Sequence, residues 1–145
     1  MFNITEMAEE LMVYYPPAEQ IPLVYESYYV KSVVYAIKKL YVDINHPTQY
    51  DHTLFTTDTV DEKEILYYDH DFDIVQEEYI FILAKLRFKR IAISEVTGDG
   101  AVSYTTDALS VTGAKEAYKS LQQEIEDLEN ERRIVFHKMM TNEES

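Results

Sequence analysis

Apolar residues recur every three or four positions along most of this chain, a period typical of amphipathic helices. The first such stretch follows Asn3, a favourable N-cap residue with Glu6 three positions later, so a helix is predicted from there to about Tyr15. Pro16 and Pro17 end this helix, because proline lacks the amide donor and disfavours a helical residue before it.

A second helix is predicted to begin near Pro22, which suits the first turn of a helix, and to end near Asn45. Its other face carries tyrosine and lysine, a composition typical of a solvated surface. The apolar stripe of this helix consists of Val30, Val33, Val34, Ile37, Leu40, Tyr41 and Ile44.

Residues 46–68 show no strong periodicity and contain many threonine and aspartate residues, which predicts a loop inserted between helices. Compact domains seldom contain a structureless loop of more than ~15 residues. Two alternatives follow for this segment. Either Val60 to Tyr68 forms a short helix, or the segment is an interaction loop that a partner orders.

A third helix, capped by Asp71 or Asp73, is apolar on nearly every face. A helix with so little polar surface is either central in the core or covered by a neighbouring subunit. After it, apolar residues alternate on both sides of Gly98-Asp99-Gly100, which predicts a short β-hairpin over Arg90 to Tyr104. The large apolar residues of the third helix are Val75, Tyr79, Ile80, Phe81, Ile82, Leu83, Leu86 and Phe88.

The last third of the chain, Thr112 to about Met139, is predicted to be a long amphipathic helix that packs lengthwise against other helices. Its seam follows alternating steps of four and three, and Arg132 is the one residue that interrupts it. Because the flanks are almost uniformly acidic, we expect packing on the chain's own helices rather than an extended coiled coil. The seam residues are Ala114, Tyr118, Leu121, Ile125, Leu128, Arg132, Val135 and Met139.

Three glycines and four prolines among 145 residues are few for an all-β protein, whose turns need them, so the predicted fold class is mainly α. Residues 1–140 are predicted to form one domain, a small bundle of about four helices with a short β-hairpin before the long C-terminal helix. Residues 141–145 are predicted to fray. No apolar run reaches the ~18 residues needed to cross a bilayer, so no membrane partner is expected.

The formal net charge of −14 argues against tight nucleic-acid binding, because an acidic surface repels phosphates. Thirteen tyrosines occur with no tryptophan. Tyrosine combines an apolar ring with a polar hydroxyl, so this excess fits either subunit interfaces or a small core completed by tyrosine rings.

No catalytic, cofactor or metal site is predicted. The run Asp69 to Asp73 places acids at alternate positions, as in a calcium loop, but lacks the glycine and the closing glutamate of that loop. His46, His52 and His70 match no zinc spacing, and the absence of cysteine excludes thiolate sites. Gly98-Asp99-Gly100 is too short for a phosphate loop, and no serine has a glycine-flanked nucleophile elbow.

The order of elements, with the segment SEVTGDGAVSYTTDA leading into a long charged helix, resembles the head–tail connector proteins of tailed bacteriophages. In particular it resembles the adaptor, or head-completion, proteins that bind beneath the portal. The resemblance covers about fifty residues and consists of residue types at matching places rather than of one diagnostic motif. These residues are Ser94, Gly98, Val102, Ser103, Tyr104, Tyr118, Leu121 and Ile125.

The resemblance implies a structural virion protein, made in the cytoplasm of the bacterial host and located at the head–tail junction. It implies a homo-oligomeric ring of about a dozen copies, docked to the portal protein on one side and to a tail or stopper protein on the other. Double-stranded DNA would pass through the lumen without specific binding. The expected partner interface consists of Tyr50, Leu54, Phe55, Tyr67, Tyr68, Phe81, Phe88, Val102 and Tyr104.

Two other functions fit parts of the sequence. The negative charge would suit an acidic helical binding module, or a DNA-mimicking regulator that occupies a basic surface of an enzyme. A small metal-dependent enzyme would have to use Asp69, Asp71 and Asp73 with a histidine. A strictly monomeric native mass would argue against a connector. Elemental analysis that finds no bound metal would argue against the enzyme.

Overall fold

The structure is a computed structural model that describes the backbone of residues 1–16, 26–97 and 108–144 and the side chains of 1–16, 27–91 and 119–141. The chain is mainly helical, as the sequence predicts, with a small antiparallel sheet in which the strand Lys63–Tyr68 lies between Phe2–Asn3 and Phe55–Val60. The helices are α1 (Ile4–Tyr14), α2 (Glu26–Asp43), α3 (Ile74–Thr97) and α4 (Ala108–Glu144). The strands are β1 (Phe2–Asn3), β2 (Phe55–Val60) and β3 (Lys63–Tyr68), and 3-10 turns cover Pro47–Gln49 and His52–Leu54.

The predicted start signals of α1 and α3 are confirmed. The Asn3 Oδ1 atom accepts a hydrogen bond from the Glu6 amide at 2.8 Å. At the start of α3 the Asp73 carboxylate accepts from the Gln76 amide at 2.8 Å, and the Gln76 side chain accepts from the Asp73 amide at 3.1 Å. This reciprocal pair is a capping box, so Asp73 rather than Asp71 caps the helix.

α3 is the central helix of the bundle, and α2 and α4 both run antiparallel to it. Contacts between Tyr29 and Phe88 and between Asp43 and Tyr79 define the direction of α2. The pairs Glu78–Lys138 and Arg90–Glu129 define the direction of α4 in the same way. The apolar surface of α3 is therefore buried inside the chain's own core.

The C-terminal helix packs on its own bundle, as the acidic flanks of its seam predict. Leu128, Val135 and Met139 are buried, and Leu121 and Ile125 pack against the same core. The helix is longer than predicted, because it begins at Ala108 and continues through Glu144 into the segment expected to fray.

The prediction for residues 46–68 is wrong, because the segment forms neither an open loop nor a helix. After two 3-10 turns it forms the hairpin β2–β3, in which Val60 pairs with Lys63 across a two-residue turn. Most of β2 is exposed, so its sequence lacks the apolar alternation that would indicate a strand. Its threonines, which suggested a loop, are β-branched residues that favour strands.

The predicted hairpin over Arg90 to Tyr104 is also wrong in its first half. α3 continues to Thr97, so Ile91 and Ile93 lie in a helix, and Ile91 packs against the core. Helical spacing from Phe88 to Ile91 competes with the alternation between Ile91 and Ile93, and the helix prevails. Residues 98–107, which include Val102 and Tyr104, lie outside the described ranges.

The β2–β3 turn holds two non-glycine residues in the left-handed region, Asp61 at φ 53° and Glu62 at φ 66°. Both positive angles define a type I′ turn, which favours glycine or asparagine. Replacing Glu62 with glycine is expected to raise the free energy of unfolding by about 0.5–1 kcal/mol, because glycine removes the steric cost of this conformation. Urea denaturation measures the change. Glu64→Gly, in the adjoining strand, is the matched control and should destabilise; an unchanged or lower value for Glu62→Gly would contradict the prediction.

Candidate functional site

A polar groove lies between α2 and α4, with α3 as its floor. It has a volume of about 370 Å³ and opens to solvent. Leu83 and Leu86 of α3 form the apolar part of its lining. The remaining lining residues are polar or charged: Tyr35, Lys39, Asp43, Arg90, Glu129 and Arg132.

A chain of polar contacts crosses the groove from α2 to α3. The Lys39 Nζ atom lies 2.9 Å from Asp43 Oδ1, and the buried Tyr79 hydroxyl donates to Asp43 Oδ2 at 2.5 Å. These contacts satisfy the Asp43 carboxylate, whose side chain is only 12% exposed. A carboxylate so far from water requires such partners.

The same chain of contacts continues to α4 through Arg132. The Arg132 guanidinium donates to the Tyr79 hydroxyl at 3.4 Å and to Glu129 Oε2 at 2.9 Å. The other Glu129 oxygen accepts from Arg90 of α3 at 2.5 Å. Arg132 interrupts the heptad seam because the seam meets the Tyr79 hydroxyl of α3 at this level rather than an apolar side chain.

Burial is the main cause of the raised pKa of Tyr79, and the hydrogen bond to Asp43 raises it further. The hydrogen bond from Arg132 acts in the opposite direction. The pKa of Arg132 is itself raised, first by its hydrogen bond to Tyr79. Tyr79 therefore stays protonated at neutral pH, and its hydroxyl links the three helices by donating to Asp43 of α2 and accepting from Arg132 of α4.

Replacing Tyr79 with phenylalanine is expected to lower the free energy of unfolding by about 1–3 kcal/mol, because it removes a hydrogen bond to the Asp43 carboxylate. Equilibrium urea denaturation gives the value. The control is Tyr67→Phe, which deletes the hydroxyl of a half-buried tyrosine on β3 and should change stability by less than about 0.5 kcal/mol. Equal losses in the two variants would show that the Tyr79 hydroxyl contributes nothing through Asp43.

The predicted interface residues do not form one exposed patch. Tyr68 and Phe88 are fully buried in the chain's own core, so neither offers a surface to a partner. Five others are half-buried and pack against the core or its edge, and Val102 and Tyr104 lie outside the described residues. The half-buried residues are Tyr50, Leu54, Phe55, Tyr67 and Phe81.

Two of these aromatic residues, Tyr50 and Phe55, contact Tyr68 at the base of the hairpin. The Tyr68 ring stacks on Phe72 at 5.9 Å between centroids and on Tyr50 at 6.4 Å, and Phe55 approaches it to 5.0 Å. Much of the tyrosine excess therefore fills the core, since Tyr29, Tyr41, Tyr68 and Tyr79 are all buried.

Three large aliphatic residues with high exposure are absent from the predicted interface. Val13 is 79% exposed, Ile74 84% and Ile134 69%, and each lies on a different helix. No sequence signal singles out Val13 or Ile74, because each is a plausible member of an apolar stripe. Ile134 lies off the seam, which was a usable signal.

Three of the acids and histidines considered as metal ligands make other contacts. Asp73 caps α3, Asp71 pairs with the N-terminal ammonium group, and His70 contacts the Phe72 ring. Among the residues that the structure describes, no group of three or more histidine or acidic side chains is placed to hold a metal ion. Within the same ranges, every helix is too short or too polar to span a lipid bilayer.

A comparison with protein-family models, with curated proteins and with solved structures finds no match to this chain.

Proposed function

We propose that this chain is a structural subunit of an oligomeric ring, a head–tail connector or adaptor of a tailed bacteriophage. The ring would lie between the portal protein and a tail or stopper protein, and the genome would pass through its lumen. The protein would be made in the host cytoplasm and assembled into the virion. No catalytic step, cofactor or metal belongs to this function.

The observation that carries the proposal is the exposure of large aliphatic side chains on separate helices. Val13 on α1, Ile74 on α3 and Ile134 on α4 are each more than two-thirds exposed. A ring subunit meets neighbours on several sides and covers such residues there. The resemblance over Ser94 to Arg133 supports the same conclusion, and its matching residues Leu121 and Ile125 pack α4 onto the bundle.

The charge also suits this function. A surface with an excess of carboxylates repels the DNA backbone, so a genome can slide past it without binding. The alternative, an acidic module that mimics DNA, would require the acids to gather on one face. Exposed acids instead occur on α1, on the hairpin and on α4, as Glu10, Asp58 and Asp127 illustrate.

Native mass spectrometry of the purified chain, alone and mixed with purified portal rings, tests the proposal. We expect either a closed oligomer of the chain alone or portal rings that carry several bound copies. A chain that stays monomeric at high concentration and leaves portal rings unoccupied would refute it. Negative-stain imaging of the same mixture checks whether bound copies form a ring beneath the portal.

A further inference from the structure

The outer face of α2 carries a basic stripe, which consists of Lys31, Tyr35, Lys38 and Val42. Successive members are four, three and four residues apart, so they lie along one side of the helix. Lys31 and Lys38 are exposed, and neither forms an ion pair with any residue that the structure describes. Val42, at the C-terminal end of the stripe, is 48% exposed.

A neighbouring arginine reinforces the positive charge of this stripe. The Arg87 guanidinium of α3 lies 4.7 Å from the centre of the Tyr35 ring, a cation–π contact at the edge of the groove. Lys31, Lys38 and Arg87 thus concentrate three positive charges on one side of a chain whose net charge is −14. Water and small counter-ions are the default partners of such a surface. An acidic protein surface binds it more tightly than they do when the apolar groups of the two surfaces also match.

A complementary acidic stripe runs along α4 and consists of Asp127, Glu131 and Ile134. The stripe faces away from the groove, because Glu131 follows the groove residue Glu129 by two positions, or about 200° around the helix. Glu124, on the same side, already pairs within the chain, since its Oε2 atom lies 2.6 Å from Lys89 Nζ of α3. Tyr15 at the end of α1 lies near this side of α4, because the Lys89 Nζ atom that pairs with Glu124 also lies 4.0 Å from the centre of the Tyr15 ring. Burial first, and then the charges of Glu124 and Glu131, raise the pKa of Tyr15 to about 12.

The direction of the helices allows the two stripes of neighbouring copies to lie alongside one another. Both α2 and α4 run antiparallel to α3, so they point the same way within one chain. A neighbour related by rotation about an axis along the bundle keeps that direction, so its α4 would lie parallel to α2. When the parallel helices are aligned so that Lys38 meets Glu131, the member of the acidic stripe nearest to Lys31 is Asp127, and Val42 lies opposite Ile134.

We propose that a second copy of this chain docks the acidic stripe of its α4 on the basic stripe of α2. The contact is head-to-tail, since each copy offers one stripe to each neighbour, and its repetition generates a ring. Opposite charges fix the register and speed the encounter, while Val42 and Ile134 cover one another. This inference rests on the proposed ring function and assigns the faces by which its subunits meet.

Charge reversal tests the assignment in the full chain. We expect Lys38→Glu and Glu131→Lys each to weaken self-association at least tenfold, because each places like charges opposite one another. The double variant, and an equimolar mixture of the two single variants, should recover association, since both restore opposite charges across every contact. Sedimentation velocity at low and high salt measures association, and the wild-type chain should dissociate as salt rises.

Two control variants carry the same kinds of charge change at residues of α4 that lie outside both stripes. Lys119→Glu and Glu126→Lys alter exposed residues outside the acidic stripe and should leave association unchanged. Circular dichroism establishes that each variant is folded. If a reversal at Lys38 or Glu131 prevents folding, Lys31→Glu and Asp127→Lys probe the same contact.

The outcomes separate this inference from the ring function. A wild-type chain that forms rings, with single reversals no weaker than the controls, would overturn the assignment of faces and leave the connector function standing. Failure of the mixture to recover association would also overturn the assignment. A wild-type chain that is monomeric alone and with portal rings would overturn the ring function, and the docking contact with it.

Discussion

Replacement of Tyr68 by alanine is expected to lower the free energy of unfolding by about 3–5 kcal/mol, the usual cost of removing a buried aromatic ring. Tyr68 is fully buried, and its ring contacts Tyr50, Phe55 and Phe72. Its hydroxyl also accepts a hydrogen bond from the Asp51 amide at 3.2 Å. The substitution leaves a cavity where β1 and β2 both join β3, so the sheet should loosen as a unit.

Urea denaturation and amide hydrogen exchange measure the two parts of this prediction. Exchange of the β2 and β3 amides should accelerate more than exchange in α3, because Tyr68 fastens the hairpin to the bundle. Tyr67→Ala is the matched control, since Tyr67 is the adjacent residue of β3 and is only half-buried. A loss below about 1.5 kcal/mol, or a loss equal to that of Tyr67→Ala, would show that the ring cluster is not the anchor.

Alkaline pH is expected to destabilise the chain more steeply than its lysines alone would. Burial raises the pKa of Tyr79 and Tyr41 above the ordinary value of 10.0, and it raises the pKa of Tyr15 to about 12. The unfolded chain therefore releases these protons at lower pH than the folded chain does. The stability they contribute is complete below pH 10 and declines as the pH rises towards the folded pKa values.

For a fully buried tyrosine the loss is about 1.4 kcal/mol for each pH unit between the two pKa values. Denaturation at several pH values, with tyrosinate absorbance recorded in parallel, follows the decline. Tyr79→Phe removes one contributing group, so its stability should fall less between pH 10 and 12 than that of the wild type. Parallel curves for the two proteins would contradict a role for Tyr79 in the alkaline transition.

The helices were predictable because their signals are local. Asn3 and Asp73 cap helices through side chains three residues from the amides they accept from, and such spacing is visible in a sequence. The burial of α4 along its seam follows from periodicity in the same way. The fold class rested on these signals and on the scarcity of glycine and proline. It was predicted correctly, although the β2–β3 hairpin was missed and the first half of the hairpin predicted over Arg90 to Tyr104 is helical.

The hairpin was missed because its stability is not local. β2 is mostly exposed and shows no apolar alternation, and the Asp61-Glu62 turn lacks the glycine typical of a type I′ turn. What places the hairpin is the packing of Tyr68 against residues outside the segment, namely Phe2 of the distant β1 and Phe72. No periodicity within residues 46–68 reports that contact.

The polar groove was predictable only in part. The interruption of the seam at Arg132 indicated that something polar lay opposite, but the partner there, Tyr79, belongs to another helix. In the sequence Tyr79 counted as one more apolar residue of α3. Most of the predicted interface residues are aromatic. Large apolar rings also favour burial, and Tyr68 and Phe88 accordingly lie in the core.

The position of the sheet gives the subunit a direction. The hairpin follows α2 and precedes α3 in the sequence. It therefore lies at the end of the bundle where Glu78 of α3 pairs with Lys138 of α4. In a ring whose subunits all point the same way, every sheet would line one rim and none would line the other. Such a ring has two unlike faces and therefore a polarity. It can join two different neighbours in a fixed order, because the rim with the sheets and the rim without them present different surfaces.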